Sequence, residues 1–311
     1  MRRALLIGAL VGCSPGAPEG GGLGDPCDLQ TPCGDGVVCD YTIAAPACID
    51  ASADPDGDGI PNSMDHCPNT PGGLYDEDND GIGDDCDRCP IAKPPAVPEP
   101  DGDDVDAPCD PDTHTPGDKI LLFDGFGSGT LDPRWTASTP SAWMVQGGEL
   151  VVRLTTQETQ DFITTQVAPQ PNLAVQASYR VDKVEAASTT HIVSALAIDQ
   201  RPAGVSSFEC GVVKSDVSTD EIVSLETDQG VVSHGAMTGA FDSARLYRTA
   251  SRLVGANVDC TVIGDNMPLA IITNTISPDS IGTIKLTARA VTARYQWVLV
   301  VGRPNDTGGP N

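Results

Sequence analysis

Basic residues are scarce in this chain, aromatic ones scarcer still, and apolar runs long enough to span a membrane are missing. Lysine and arginine number 18 against 44 acids, a formal net charge of -26, which excludes nucleic acid and anionic surfaces as partners of the charged segments. Aromatic residues are 4% of the chain, so Trp135, Trp143 and Trp297 read as core anchors before they read as a stacking platform. The apolar stretch from Ala4 to Gly12, behind Arg2 and Arg3, is too short to cross a bilayer and reads as an export signal. No helical periodicity of useful length appears, which leaves a mainly β fold. The four histidines, His66, His114, His191 and His234, fall in no metalloprotease spacing.

Cysteine, by contrast, is plentiful. Leu10-Val11-Gly12-Cys13 resembles the lipobox of bacterial lipoproteins. The resemblance implies that residues 1–12 are removed, that Cys13 is lipidated, and that the chain is anchored to a membrane as an outer-membrane or cell-surface lipoprotein. Residues 13–24, rich in glycine and proline, then form a flexible tether. Ten of the 11 cysteines remain, an even number suited to disulfides in an oxidising compartment. Cys27, Cys33, Cys39 and Cys48 make a small module over residues 25–50. Four cysteines allow three connectivities; analogy with other small cysteine-rich modules pairs Cys27 with Cys39 and Cys33 with Cys48. Zinc is the alternative, but no Cys-x-x-Cys pair occurs there.

Residues 51–118 concentrate the negative charge in a repeated pattern. One loop runs from Asp54 through Asp56, Asp58, Ile60 and Asn62 to Asp65; the next from Asp76 through Asp78, Asp80, Ile82 and Asp84 to Asp87. A third runs from Glu99 through Asp101, Asp103 and Val105 to Asp110. Counted from the first acid, oxygen donors stand at positions 1, 3 and 5, an aliphatic residue with an available carbonyl at 7, and a closing acid at 12. That is the ligand spacing of a wrapped calcium loop, with Gly59 and Gly81 at the sharp turn of position 6. Calcium is therefore the expected cofactor. The third loop has Glu99 for the first aspartate and Asp104 for the turn glycine, and is expected to be the weakest.

Asp-x-Asp-x-Asp-Gly-Ile, Asp65-His66-Cys67-Pro68, Cys89-Pro90 and Asp85-Cys86-Asp87 together resemble thrombospondin type 3 repeats. In that family the chain wraps calcium around almost no apolar core, and the resemblance implies disulfides Cys67 with Cys86 and Cys89 with Cys109. The composition agrees with it. Large apolar side chains are too few here to offset roughly 1–2 kcal/mol of backbone ordering per residue, so ions and disulfides must supply the order.

From residue 119 to 311 the texture changes to short strands with turn residues between them, the pattern of a two-sheet sandwich or jelly roll. Phe123-Asp124-Gly125-Phe126, Gly129 to Trp135, Trp143 ahead of Gly147-Gly148-Glu149-Leu150, and Ala293 to Val300 resemble concanavalin A-like lectin/glucanase (laminin-G-like) domains. Cys210 and Cys260, the cysteines left over, are expected to bridge. Retaining glucanases of this fold carry acids alternating along one strand. The nearest match, Glu226-Thr227-Asp228, lacks a third acid, and Ser128 between Gly127 and Gly129 reads as a turn and not a nucleophile elbow. The chain is therefore expected not to be an enzyme. It is expected to be an exported, lipid-anchored, calcium-binding protein whose stalk presents the sandwich to a glycan or surface protein for adhesion. The alternative is an exported polysaccharide hydrolase or lyase.

Overall fold

The structure, a computed structural model, describes residues 20–93, 100–153, 160–184, 190–199, 208–215, 222–227, 232–236, 245–265, 267–275 and 281–303. Residues 1–12, Cys13 and Glu99 lie outside the described residues. By internal contacts the chain divides into two units, Met1–Asp76 with Gly81–Cys86, and Glu77–Asp80 with Asp87–Asn311. The described residues contain strands, bridges and turns, and no helix among them is long and apolar enough to cross a membrane.

The first unit has one antiparallel hairpin, β1 (Val37–Asp40) and β2 (Ala47–Asp50), in which Cys39 and Cys48 are register partners. Each bridges to a cysteine upstream of the hairpin, Cys39 to Cys27 and Cys48 to Cys33. Two strands of four residues cannot hold themselves together in water, so these bridges fix the hairpin to the chain before it. Beyond the hairpin the unit is irregular, and Cys67 and Cys86 are joined across it.

Among the described residues the second unit carries fifteen strands. They begin with β3 (Lys119–Asp124), β4 (Thr136–Ala137), β5 (Trp143–Val145), β6 (Leu150–Arg153), β7 (Gln160–Gln170), β8 (Asn172–Val184), β9 (Thr190–Asp199) and β10 (Phe208–Ser215). There follow β11 (Ile222–Thr227), β12 (Val232–Ala236), β13 (Leu246–Val254), β14 (Asn257–Gly264), β15 (Met267–Thr275), β16 (Ile281–Arg289) and β17 (Val291–Arg303). One sheet has seven strands in the order β12-β11-β10-β9-β16-β7-β4; the other has eight, β15-β14-β13-β8-β17-β6-β5 with β3 also on β17. This is a mainly β sandwich of the jelly-roll class. Gly147 and Gly148, with φ of 66° and 76°, make the two-residue turn between β5 and β6, a left-handed pair of conformations that suits glycine.

Most strands bury one face. On β14, Val258, Cys260 and Val262 alternate inward with half-exposed neighbours, the period-2 pattern that marks a sheet with one dry side. The core between the sheets centres on Tyr179, Tyr247 and Tyr295, with ring centroids 6.0 Å apart for the first two and 5.4 Å for Tyr179 and Tyr295. Trp135 and Trp143 join this core, their indole N–H groups donating to Asp124 and Asp161 at 2.8 and 2.9 Å. Cys210 on β10 bridges to Cys260 on β14, tying one sheet to the other.

β13 is harder to read from the sequence than β14. The strand runs to Val254 because its inward face alternates Tyr247, Thr249, Ser251 and Leu253. Two small polar residues in the dry layer hide the alternation that hydrophobicity would show.

β17 is buried without interruption from Trp297 to Gly302. Val298 and Val300 enter the core between the sheets, whereas Trp297, Leu299 and Val301 enter a second cluster with Cys89, Val105 and Cys109. Both faces of this strand are covered.

Candidate metal centre

The first acidic loop is built from short turns in which each carboxylate accepts an amide just ahead of it. Asp54 Oδ1 accepts from Gly57 N at 2.8 Å and its Oδ2 from Gly59 N at 3.1 Å; Asp56 Oδ1 accepts from Asp58 N at 3.2 Å; Asp58 Oδ1 accepts from Ile60 N at 2.7 Å. Such local bonds are what aspartates offer in place of a helix or a ladder. The loop is closed by Asn62 N donating to Ala53 O at 2.8 Å and by Asp65 Oδ1 accepting from Cys67 N at 2.7 Å. At Asp56 and Asp65 the amides take Oδ1 and leave Oδ2 buried without a hydrogen-bond partner.

The third loop repeats this plan. Asp101 Oδ1 accepts from Asp103 N at 3.2 Å, Asp103 Oδ1 from Val105 N at 2.9 Å, and Asp110 Oδ1 from Asp112 N at 2.6 Å. The second oxygen of the position-5 aspartate takes a glycine amide fourteen residues on in both loops. Asp58 Oδ2 accepts from Gly72 N at 2.8 Å, and Asp103 Oδ2 from Gly117 N at 3.0 Å and Asp118 N at 2.8 Å. The division between the two units runs through the second loop. On one side Asp76 Oδ2 accepts from Gly81 N at 2.9 Å and Asp84 N donates to Tyr75 O, as Asn62 does to Ala53; on the other Asp80 N donates to Asp78 Oδ1 at 3.0 Å and Cys89 N to Asp87 Oδ1 at 2.8 Å. Ile82 is half-buried, like Ile60.

Two structural devices escaped the sequence reading. Position 4 is left-handed in all three loops: Gly57 has φ of 78°, Asn79 of 61° and Gly102 of 78°. Position 6 is left-handed at Gly59 and Gly81 but not at Asp104, so the third loop keeps one of the two left-handed residues. The signal was present as glycine or asparagine, the residues that tolerate this conformation, at a constant place in each loop. The glycines at the fourteen-residue offset were equally visible as a spacing, but their role depends on a long-range bond.

Asp54, Asp56 and Asp58 offer oxygens all within 4.8 Å of one another, and so do Asp101, Asp103 and Asp110. Like charges at that separation repel by about 3 kcal/mol per pair at an effective dielectric of about 20. Several of these groups are also buried with nothing to bind. Asn62 is 4% exposed and Asp65 6%, and Asn62 Oδ1, Asp65 Oδ2, Asp56 Oδ2, Asp101 Oδ2 and Asp110 Oδ2 have no hydrogen-bond partner. An orphaned buried acceptor costs about 1–3 kcal/mol, so a converging set of them calls for a positive group at their centre. Burial is the first cause that pushes the Asp110 carboxyl up to about 7, with Asp118, Asp103 and Asp101 adding repulsion. Asp87 is pushed up to about 7 in the same way, by burial first and then Asp80, Asp78 and Asp106. Asp65 is raised by burial, with Asp56 and Asp58 contributing.

The other singled-out residues sit as follows. Cys89 and Cys109 are joined, with Cα atoms 5.4 Å apart. Ser128 Oγ donates to Thr130 O at 2.7 Å beside left-handed Gly129, a turn. Glu226 on β11 is the register partner of Glu209 on β10, and Asp228 lies outside the described residues.

No protein-family model matches the sequence, and no curated relative does. Solved structures do resemble it. The GlcNAcα1-4Gal-releasing endo-β-galactosidase from Clostridium perfringens is 12% identical with a TM-score of 0.44, over 63% of this chain and 65% of that one, so this chain spans just under two thirds of that enzyme. Porphyranase B from Zobellia galactanivorans is 10% identical with a TM-score of 0.46, over 62% of this chain and 96% of that one. A legume lectin-like domain from Entamoeba histolytica is 9% identical with a TM-score of 0.44, over 58% of this chain and 96% of that one. Likeness at these levels concerns architecture alone. The expectation that the chain is not an enzyme does not stand, since glycoside hydrolases are found among these neighbours beside lectins.

Proposed function

We propose that this is an exported calcium-binding protein whose acidic loops are thrombospondin type 3-like repeats and whose β sandwich engages carbohydrate. The observation that carries the calcium reading is the pair of buried, partnerless oxygens on Asn62 and Asp65 beside the Asp54, Asp56 and Asp58 carboxylates. The donor set is all oxygen, which favours a hard cation, and a cage of several carboxylates suits calcium better than magnesium, which is usually held by one or two carboxylates and keeps several waters. In the first loop the ligands are Asp54, Asp56, Asp58, the Ile60 carbonyl, Asn62 and Asp65; in the third they are Asp101, Asp103, the Val105 carbonyl and Asp110. The second loop follows the same sequence pattern through Asp76, Asp78, Asp80, Ile82, Asp84 and Asp87. Export is supported by the five disulfides, which persist in oxidising compartments. Lipidation at Cys13 would hold the protein at a membrane surface.

Calcium titration of the chelated full chain tests the cation reading. We expect saturable binding that loses one site in Asp56→Ala and again in Asp65→Ala; a chain that takes up no calcium overturns it. For the sandwich, a glycan array with and without calcium, run beside a reducing-end assay on β-glucans, separates binding from hydrolysis. A sandwich inert in both refutes the carbohydrate assignment.

A further inference from the structure

We propose that the third acidic loop is a cation-dependent cover on the outer face of the eight-stranded sheet, and that its ion governs the exposure of Trp297. This rests on the calcium reading above and goes beyond it, because a spacer loop has no need of an apolar seat. Val105 and Cys109 are fully buried, and they pack with Cys89 on Trp297, Leu299 and Val301 of β17, flanked by Ile120 and Phe123 of β3. These are the residues of β17 that point away from the sandwich core. Polar contacts hold the edges of the cover. Gln176 Nε2 donates to Cys109 O at 3.5 Å, and Arg303 Nη2 pairs with Asp118 at 2.7 Å and Asp112 at 3.4 Å.

The ion site and the apolar seat share residues. Asp103 accepts from Val105 N with one oxygen and from Gly117 and Asp118 with the other, and it belongs to the carboxylate trio with Asp101 and Asp110. Asp110 follows Cys109, whose disulfide to Cys89 limits how far the loop can leave. Asp101 Oδ2 and Asp110 Oδ2 are buried without a partner. A divalent cation gathers the trio and sets Val105 and Cys109 against the sheet. Without it, three carboxylates within 4.8 Å of one another push the loop open and wet the ring of Trp297, which is now 8% exposed beneath Arg248. The other two tryptophans lie between the sheets and do not report on the cover.

The test is tryptophan emission and acrylamide quenching of the full chain, titrated with EGTA and then with calcium, while bound calcium is measured in parallel. We expect a reversible red shift and rise in quenching on chelation, absent from Trp297→Phe. The shift is also lost in Asp110→Asn and in Asp103→Asn, two variants so that misfolding of one leaves a reading, and it is kept in Asp65→Asn of the first loop. Calcium uptake with no spectral change at Trp297, or the same loss in Asp65→Asn, overturns the cover while leaving calcium binding intact. No calcium uptake overturns both.

Discussion

In the first loop Asn62 and Asp65 are buried among backbone amides and the Cys67–Cys86 bridge, whereas in the third Val105 and Cys109 are buried against the side chains of a β strand. The hydrogen-bond plan is the same in both, down to the glycine amide fourteen residues beyond the position-5 aspartate. What differs is the support beneath it. One turn chemistry is thus held beside a disulfide in one loop and against apolar side chains in the other, and on the calcium reading proposed above the dependence on the ion should differ accordingly.

Removing calcium should break the comparison most visibly. On chelation we expect the amides of Gly57, Gly59 and Ile60 to lose all protection in hydrogen exchange, while that of Val105 keeps part of it; equal protection at the two loops would remove the distinction. Next in size is the staple between the sheets. Cys210→Ser with Cys260→Ser closes no 50-residue loop and should cost the second unit about 4 kcal/mol, read by chemical denaturation, with the first loop's calcium affinity unchanged. Smaller again is Val105→Ala, expected to lower stability by about 2 kcal/mol through the cavity it leaves against Trp297 and Leu299; Ile60→Ala, at a half-buried site, should cost under ~1 kcal/mol. The smallest effect concerns pH. The Asp110 carboxyl is raised from 3.8 to about 7, so the ion-free third loop is most stable protonated and loses stability as pH rises from about 3.8 to about 7. Calcium must displace that proton, so affinity at the third loop should climb with pH up to about 7 and flatten above it, as calorimetry at pH 6 and pH 8 in two buffers would show.

Much of this architecture was legible in the chain because strands with one dry face advertise it. β14 alternates cleanly, and the Gly147-Gly148 turn names itself. β13 was obscured because Thr249 and Ser251 occupy inward positions that alternation assigns to aliphatics. The run from Trp297 to Val301 carried a signal that went unused, since unbroken apolar sequence marks a strand covered on both faces. Taken as sandwich core, Trp297 proved to face the other way. The acidic spacing gave the third loop the weakest claim on grounds of Glu99 and Asp104, and Gly102 there keeps the position-4 turn while position 6 is not left-handed. Spacing shows which oxygens recur; which of them are left without a partner is a matter of geometry.

The position of β17 in the chain has a bearing on time. This strand pairs with β3, β6 and β8 and lines both apolar clusters, yet it follows every other strand among the described residues. A polypeptide emerging N-terminus first therefore completes the cysteine-bridged hairpin and the first acidic loop long before the eight-stranded sheet has its middle. The sandwich stays open until residue 303 has appeared, its long-range pairings deferred to the last step.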